Sequence, residues 1–218
     1  YPFCKLFFGY KKAGRNPKSQ MSRTNLNIKF MRKQAITLGR VGILLPIASI
    51  IPFLGGFAGL ATIILLLFSH HYFSKVYGKP AIFKPALTGT IIMIAGNLLG
   101  AVLFGIGIFS SAVGSGAEMD VQNLFSRIFD SALTILGAVV MLAGAIIGFY
   151  FLFQALKELA SATGIDHFRT AGLLYFIGGI ASIILIGLLV VVVGWIFHIV
   201  AYYSIQPEGE TSGAEMTP

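Results

Sequence analysis

Apolar positions along this chain run in four long blocks separated by short charged segments. No Asp, Glu, Lys or Arg occurs between Arg40 and Lys75, between Lys84 and Glu118, between Asp130 and Lys157, or between Arg169 and Glu208. A hydrocarbon core about 30 Å thick needs roughly 20 apolar residues of helix, and every block exceeds that. The first, near 35–73, is too long for one crossing and reads Ile51-Pro52-Phe53-Leu54-Gly55-Gly56 at its middle. Proline has no amide hydrogen to donate and disfavours helix in the residue before it, so Pro52, Gly55 and Gly56 predict a turn. The last block, near 171–204, has Gly187 at its centre. That break is weaker, because one glycine costs a helix only about 1 kcal/mol. The two middle blocks predict single crossings. The pattern therefore predicts an all-α, polytopic membrane bundle of about six transmembrane helices in the order hairpin, single, single, hairpin. They are placed near 35–51, 55–74, 86–110, 131–156, 168–186 and 188–204.

The charged segments supply an independent check. Cytoplasmic loops of membrane proteins collect Lys and Arg. With six crossings, the N-terminal tail, 74–85, 157–169 and the C-terminal tail lie on one side and hold every Lys and Arg except Arg127. The opposite loop, 111–130, carries Glu118, Asp120 and Asp130 against Arg127. Four crossings would instead put Lys75, Lys79, Lys84, Lys157 and Arg169 outside. The expectation is a cell-membrane protein with both termini cytoplasmic. The terminal hairpins are short, about 16–18 residues per arm, so re-entrant half-helices are the alternative there. Within the outer loop, Val121, Leu124, Phe125 and Ile128 follow helical spacing behind Asp120, predicting a short amphipathic surface helix or the start of the fourth span. Gly164 suits the residue just past a helix end, with Asp166 opening the next helix.

Composition agrees with this reading. Only 11% of residues are charged and mean hydropathy is +0.84, whereas a soluble domain is about a quarter charged. The net charge of +8 sits almost wholly in the first forty residues, so its distribution argues against nucleic acid. Cys4 is the only cysteine, which excludes an intramolecular disulfide and a cysteine-type zinc site. Residues 1–34 read as a basic cytoplasmic tail, partly disordered, and 205–218 as an acidic disordered tail. Residues 1–20 suit either a fragment's edge or upstream read-through, or a basic tail on anionic lipid with Phe3, Phe7, Phe8 and Tyr10 in the interface.

Glycine fills the space that charge leaves empty. Gly89, Gly96 and Gly100 around Met93 parallel Gly137, Gly144 and Gly148 around Met141. Small residues let helix backbones approach closely in lipid, so the expectation is that the third and fourth spans pack through these stripes. An inverted repeat of the transporter kind is the sharper alternative. It is disfavoured because the two hairpins share Ile-Ala-Ser-Ile (47–50 and 180–183) in mirror order, whereas a tandem duplication would repeat like elements in the same order.

Candidate chemistry is sparse. Asn97 is the strongly polar residue deep in a span, and it reads as an interhelical hydrogen bond before it reads as a ligand contact. His70, His71, His167 and His198 fall near the cytoplasmic face among aromatic residues, as interface-belt residues do. Their spacing matches no metal motif, so no metal and no cofactor are expected. No paired intramembrane carboxylate, nucleophile–base motif or phosphate loop is present, and an enzyme is not expected.

The turn IPFLGG (51–56), the linker YFSKVYGKPAIFKPALTG (72–89) and the stretch FYFLFQALKELASATGIDHFRTAGLLYFIG (149–178) together resemble domain of unknown function 996, a group of small multi-span membrane proteins found mainly in archaea. The resemblance covers about 36–204 and implies a compact helical bundle in an archaeal cytoplasmic membrane, with no functional residue to carry over. The functional expectation is a non-catalytic scaffold or partner subunit. Its partners would be the lipid bilayer, other copies of itself or other membrane proteins. A small-solute or ion transporter or channel is the alternative, and a membrane enzyme or metal protein the remote one.

Overall fold

The computed structural model describes residues 17–48, 55–113, 131–184 and 186–206. Among them are six α-helices: α1 (Pro17–Ala48), α2 (Gly55–Val76), α3 (Pro80–Val113), α4 (Ala132–Thr163), α5 (His167–Ala181) and α6 (Ile186–Ser204), with a 3-10 turn at Ser182–Ile184 before α6. No strand occurs among the described residues. Pro52, the outer-loop helix expected at 120–128, residues 1–16 and the acidic tail from 207 lie outside the described residues.

Among the described residues, five helices are long and apolar enough to cross a membrane: Gly55–Val76, Pro80–Ser110, Ala132–Thr163, His167–Ile184 and Ile186–Ser204. α1 differs from the expectation in both directions. It begins at Pro17, so residues 17–34 of the basic segment, expected as a partly disordered tail, are helical. Its apolar part, 35–48, carries Arg40 and spans about 21 Å at 1.5 Å per residue, short of a full crossing over the described residues.

The helices close a ring in chain order, each packed against the next, with α1 also touching α6. The two middle singles form the most intimate pair, so the bundle reads as three hairpins. α4 ends as the sequence suggests: Gly164 takes a left-handed conformation (φ 73°) and donates its N–H to the Ala160 carbonyl at 2.8 Å. Asp166 stands at the N-cap of α5 but makes no side-chain cap bond. α5 ends at Ala181, the 3-10 turn follows at Ser182–Ile184 and α6 begins at Ile186, so the break comes before Gly187. Gly187 sits in the first turn of α6 and is buried there, because a Cβ would strike the backbone of Ala181 and Ser182. The glycine permits the two helices to meet at the break; it does not make the break.

The core lies at one end of the bundle. Phe73, Ile82, Leu156, Leu159, Phe168 and Tyr202 are fully buried, clustered near the ends where α2 gives way to α3, α4 to α5, and α6 finishes. Lys79 Nζ donates to Ser161 Oγ at 3.4 Å across those ends. The rest of the bundle turns large apolar side chains outward. Leu98 is 67% exposed and Leu189 69%. Soluble monomers rarely expose contiguous apolar patches of more than a few hundred Å², whereas lipid tails solvate such side chains. Helices are also the open-chain structure that satisfies its own backbone in lipid.

Candidate functional site

Three places bring together the residues that the sequence singles out. The first is the α3–α4 contact. A Cβ on Gly96 would lie 2.8 Å from the Cα of Gly144, and one on Gly144 2.9 Å from the Cα of Gly96. Gly89 meets the Gly148 carbonyl at 2.7 Å by the same measure, and Gly100 the Gly137 carbonyl at 2.7 Å. Six glycines from two helices thus form three facing pairs. No side chain fits between the backbones.

Asn97 stands beside this contact and does not join it. Its Nδ2 donates to the Met93 carbonyl of its own helix at 2.8 Å, so no interhelical bond is made by that amine. Asn97 lines a cleft of about 660 Å³ with Ala101, Phe104, Gly105, Leu142 and Ser182 among its walls.

The second place is a clamp from α1 to the end of α6. Arg40 Nε donates to the Tyr202 carbonyl at 3.2 Å, and its NH2 group to the Ile205 carbonyl at 3.0 Å. Its guanidinium carbon lies 5.0 Å from the centre of the Tyr203 ring. The last carbonyls of a helix lack intrahelical partners and carry the negative end of its dipole, so a forked cation suits them. Trp195 Nε1 adds a bond to the Ile43 carbonyl at 2.8 Å, fixing α6 to α1 about two turns further in.

The third place is a buried polar cluster where α1, α2, α5 and α6 meet. Ser69 Oγ donates to the Ala35 carbonyl at 2.8 Å. That uses its one hydrogen, so the Tyr202 hydroxyl, 3.1 Å away, is the donor to Ser69. Tyr202 stacks on His198 with ring centres 5.2 Å apart, and Phe168 meets both rings edge-on. His198 Nδ1 is 3.3 Å from the Tyr175 hydroxyl. His70 Nδ1 is 2.7 Å from the Leu66 carbonyl. A carbonyl only accepts, so Nδ1 carries the hydrogen and Nε2 keeps a bare lone pair. The Nε2 atoms of both His70 and His198 are buried without a hydrogen-bond partner.

This corrects the interface-belt reading of two histidines. His70 is 2% exposed and His198 1%. Both face into the bundle because they lie on the sides of α2 and α6 that carry Phe73 and Tyr202. His71 packs edge-on against Phe83 at 4.9 Å, and exposed His167 lies 6.0 Å from Phe197. Among the described residues no group of three or more His, Cys, Asp or Glu could hold a metal ion.

Sequence reasoning missed Arg40, Trp195, Ser69, Tyr175 and a second set of close-packed glycines. Gly178 meets Val191 and the Gly187 carbonyl, and Gly194 meets Leu174 and Ala171 across the α5–α6 contact. The seven-residue spacing of Gly187 and Gly194, shared with Gly89 and Gly96 and with Gly137 and Gly144, was a readable signal for them.

The family described as protein of unknown function DUF996 matches residues 58–196. An uncharacterised protein of Methanocaldococcus jannaschii is 31% identical over 181 residues, covering 83% of this chain and 97% of that protein. No solved structure matches. The chain belongs to the DUF996 family.

Proposed function

We propose that this DUF996 protein is a non-catalytic structural subunit of the cell membrane, held with both termini on the cytoplasmic side. The observation that carries this reading is the Gly96–Gly144 contact. Backbones in van der Waals contact leave no route for a solute between the two longest spans, and they make a stiff hairpin. The intramembrane charges that drive pumps and channels are missing from the four apolar blocks. The glycine stripes are spent inside the chain, so contacts with other proteins or further copies would use the outward apolar faces of α3, α4 and α6. An archaeal origin is in keeping with the relative's organism.

The two unpartnered imidazole nitrogens favour one second reading, a site that takes up a proton within the membrane. Reconstitution into vesicles loaded with a pH-sensitive dye separates the two. The structural reading predicts that an imposed pH gradient decays as slowly as in protein-free vesicles. Faster decay that is abolished by His198→Phe replaces it with the second reading.

A further inference from the structure

A groove between α1 and α2 opens on the outer face of the bundle at its lysine-rich end. Its volume is about 600 Å³, within the range of small-molecule sites. The lining changes character with depth. Ala35 on α1 stands against Ser69 on α2, and the helices run antiparallel, so residues nearer the bundle end are those before 35 and after 69. At the deep end lie Leu38 and Phe68, and Thr37 follows. Towards the end of the bundle come Tyr72, Gln34 and Lys33, with Phe30 beyond. Phe30 and Phe68 are 62% and 52% exposed. Lys33 is exposed, as is Lys75, one turn past Tyr72 on α2. A neighbouring groove on α1, about 610 Å³, shares Lys33 and adds Lys29. The carboxylates among the described residues are Glu158 and Asp166, at the α4–α5 connection, and neither lines either groove.

We propose that this groove holds one anionic phospholipid, its headgroup at Lys33 and Gln34 and a hydrocarbon tail along Leu38 and Phe68. The charge, the apolar floor and the order in which they occur from surface to depth match that molecule. Basic pockets between spans on the cytoplasmic side recognise anionic headgroups in this way. A zwitterionic lipid would satisfy the apolar floor and leave the lysine without a net counter-charge. The contact does not depend on what the chain does as a structural subunit.

The test is native mass spectrometry of the full chain released from nanodiscs containing equal phosphatidylglycerol and phosphatidylcholine. Wild-type protein is expected to retain one phosphatidylglycerol in preference to phosphatidylcholine. A lysine near the surface contributes about 1 kcal/mol to such binding, so Lys33→Gln should lower the preference about fivefold. Lys84→Gln, an exposed lysine outside the groove, should leave it unchanged. Both changes are at exposed positions, and a thermal melt confirms folding. Equal retention of the two lipids overturns the proposal, as does an equal loss in both variants, which reports surface charge alone. A protein dimer with no retained lipid, or displacement of the lipid by inorganic phosphate, also overturns it.

Discussion

Arg40 borders the first apolar block, and its guanidinium closes the last turn of α6, 162 residues further along. The sequence presents it only as the edge of a charge-free run. A partner made of backbone carbonyls leaves no mark in a pattern of side chains, so this role is visible only in three dimensions. Hydrogen bonds from a charged donor contribute about 1.5–3 kcal/mol. Arg40→Ala is therefore expected to cost about 2 kcal/mol, read as earlier unfolding in a detergent–denaturant titration. Arg40→Lys should recover less than half of that, because one ammonium cannot span two carbonyls as the fork does. His70 and His198 teach a related lesson. Their aromatic neighbours in sequence suggest the membrane interface, but the helix faces they share with Phe73 and Tyr202 point inward. A buried polar atom without a partner costs about 1–3 kcal/mol, comparable to the single bond His70 makes to Leu66. His70→Phe should thus unfold within about 1 kcal/mol of wild type; a much larger loss would show that Nε2 has a partner in solution.

At the scale of helices, glycine divides into two kinds. Gly96 and Gly144 touch backbone to backbone, whereas Gly105 on the same helix meets nothing within 4 Å. Alanine at Gly105 should stabilise by about 0.4–1 kcal/mol through loss of chain entropy in the unfolded state. Alanine at Gly96 should instead destabilise by about 1–3 kcal/mol, since helices must part to admit the methyl. Melting temperatures of the two variants in one detergent should move in opposite directions; movement in the same direction removes the packing argument. The α3–α4 stripes were readable because both glycine sets share one spacing around a methionine. The α5–α6 break was misplaced at Gly187 because a glycine buried for close approach and a glycine at a turn look alike in sequence. The third helix begins at Pro80, ahead of the crossing expected from 86, because proline is tolerated in a first helical turn and the helix continues through Lys84 and Pro85.

For the whole molecule, the charge-free blocks and the end-loaded core express one arrangement. Lysines gather at the end where the side chains are buried, and the remaining length of α3 to α6 presents apolar surface to lipid. Class and helix number follow from block length, which depends on the bilayer's thickness more than on any particular contact; the ring order does not, and is visible only in the packing. α1 is the element least legible from the blocks, because a basic half and an apolar half form one continuous helix. In the proposed topology the charge-free blocks cross the bilayer with the basic end inside. Single cysteines at Ser110, Ser161 and Ser204, introduced after Cys4→Ser, test it by labelling intact cells with a membrane-impermeant maleimide. Labelling at position 110 alone is the predicted result, with 161 and 204 reacting only after lysis. Labelling of 161 or 204 from outside, or protection of 110 until lysis, would contradict that topology.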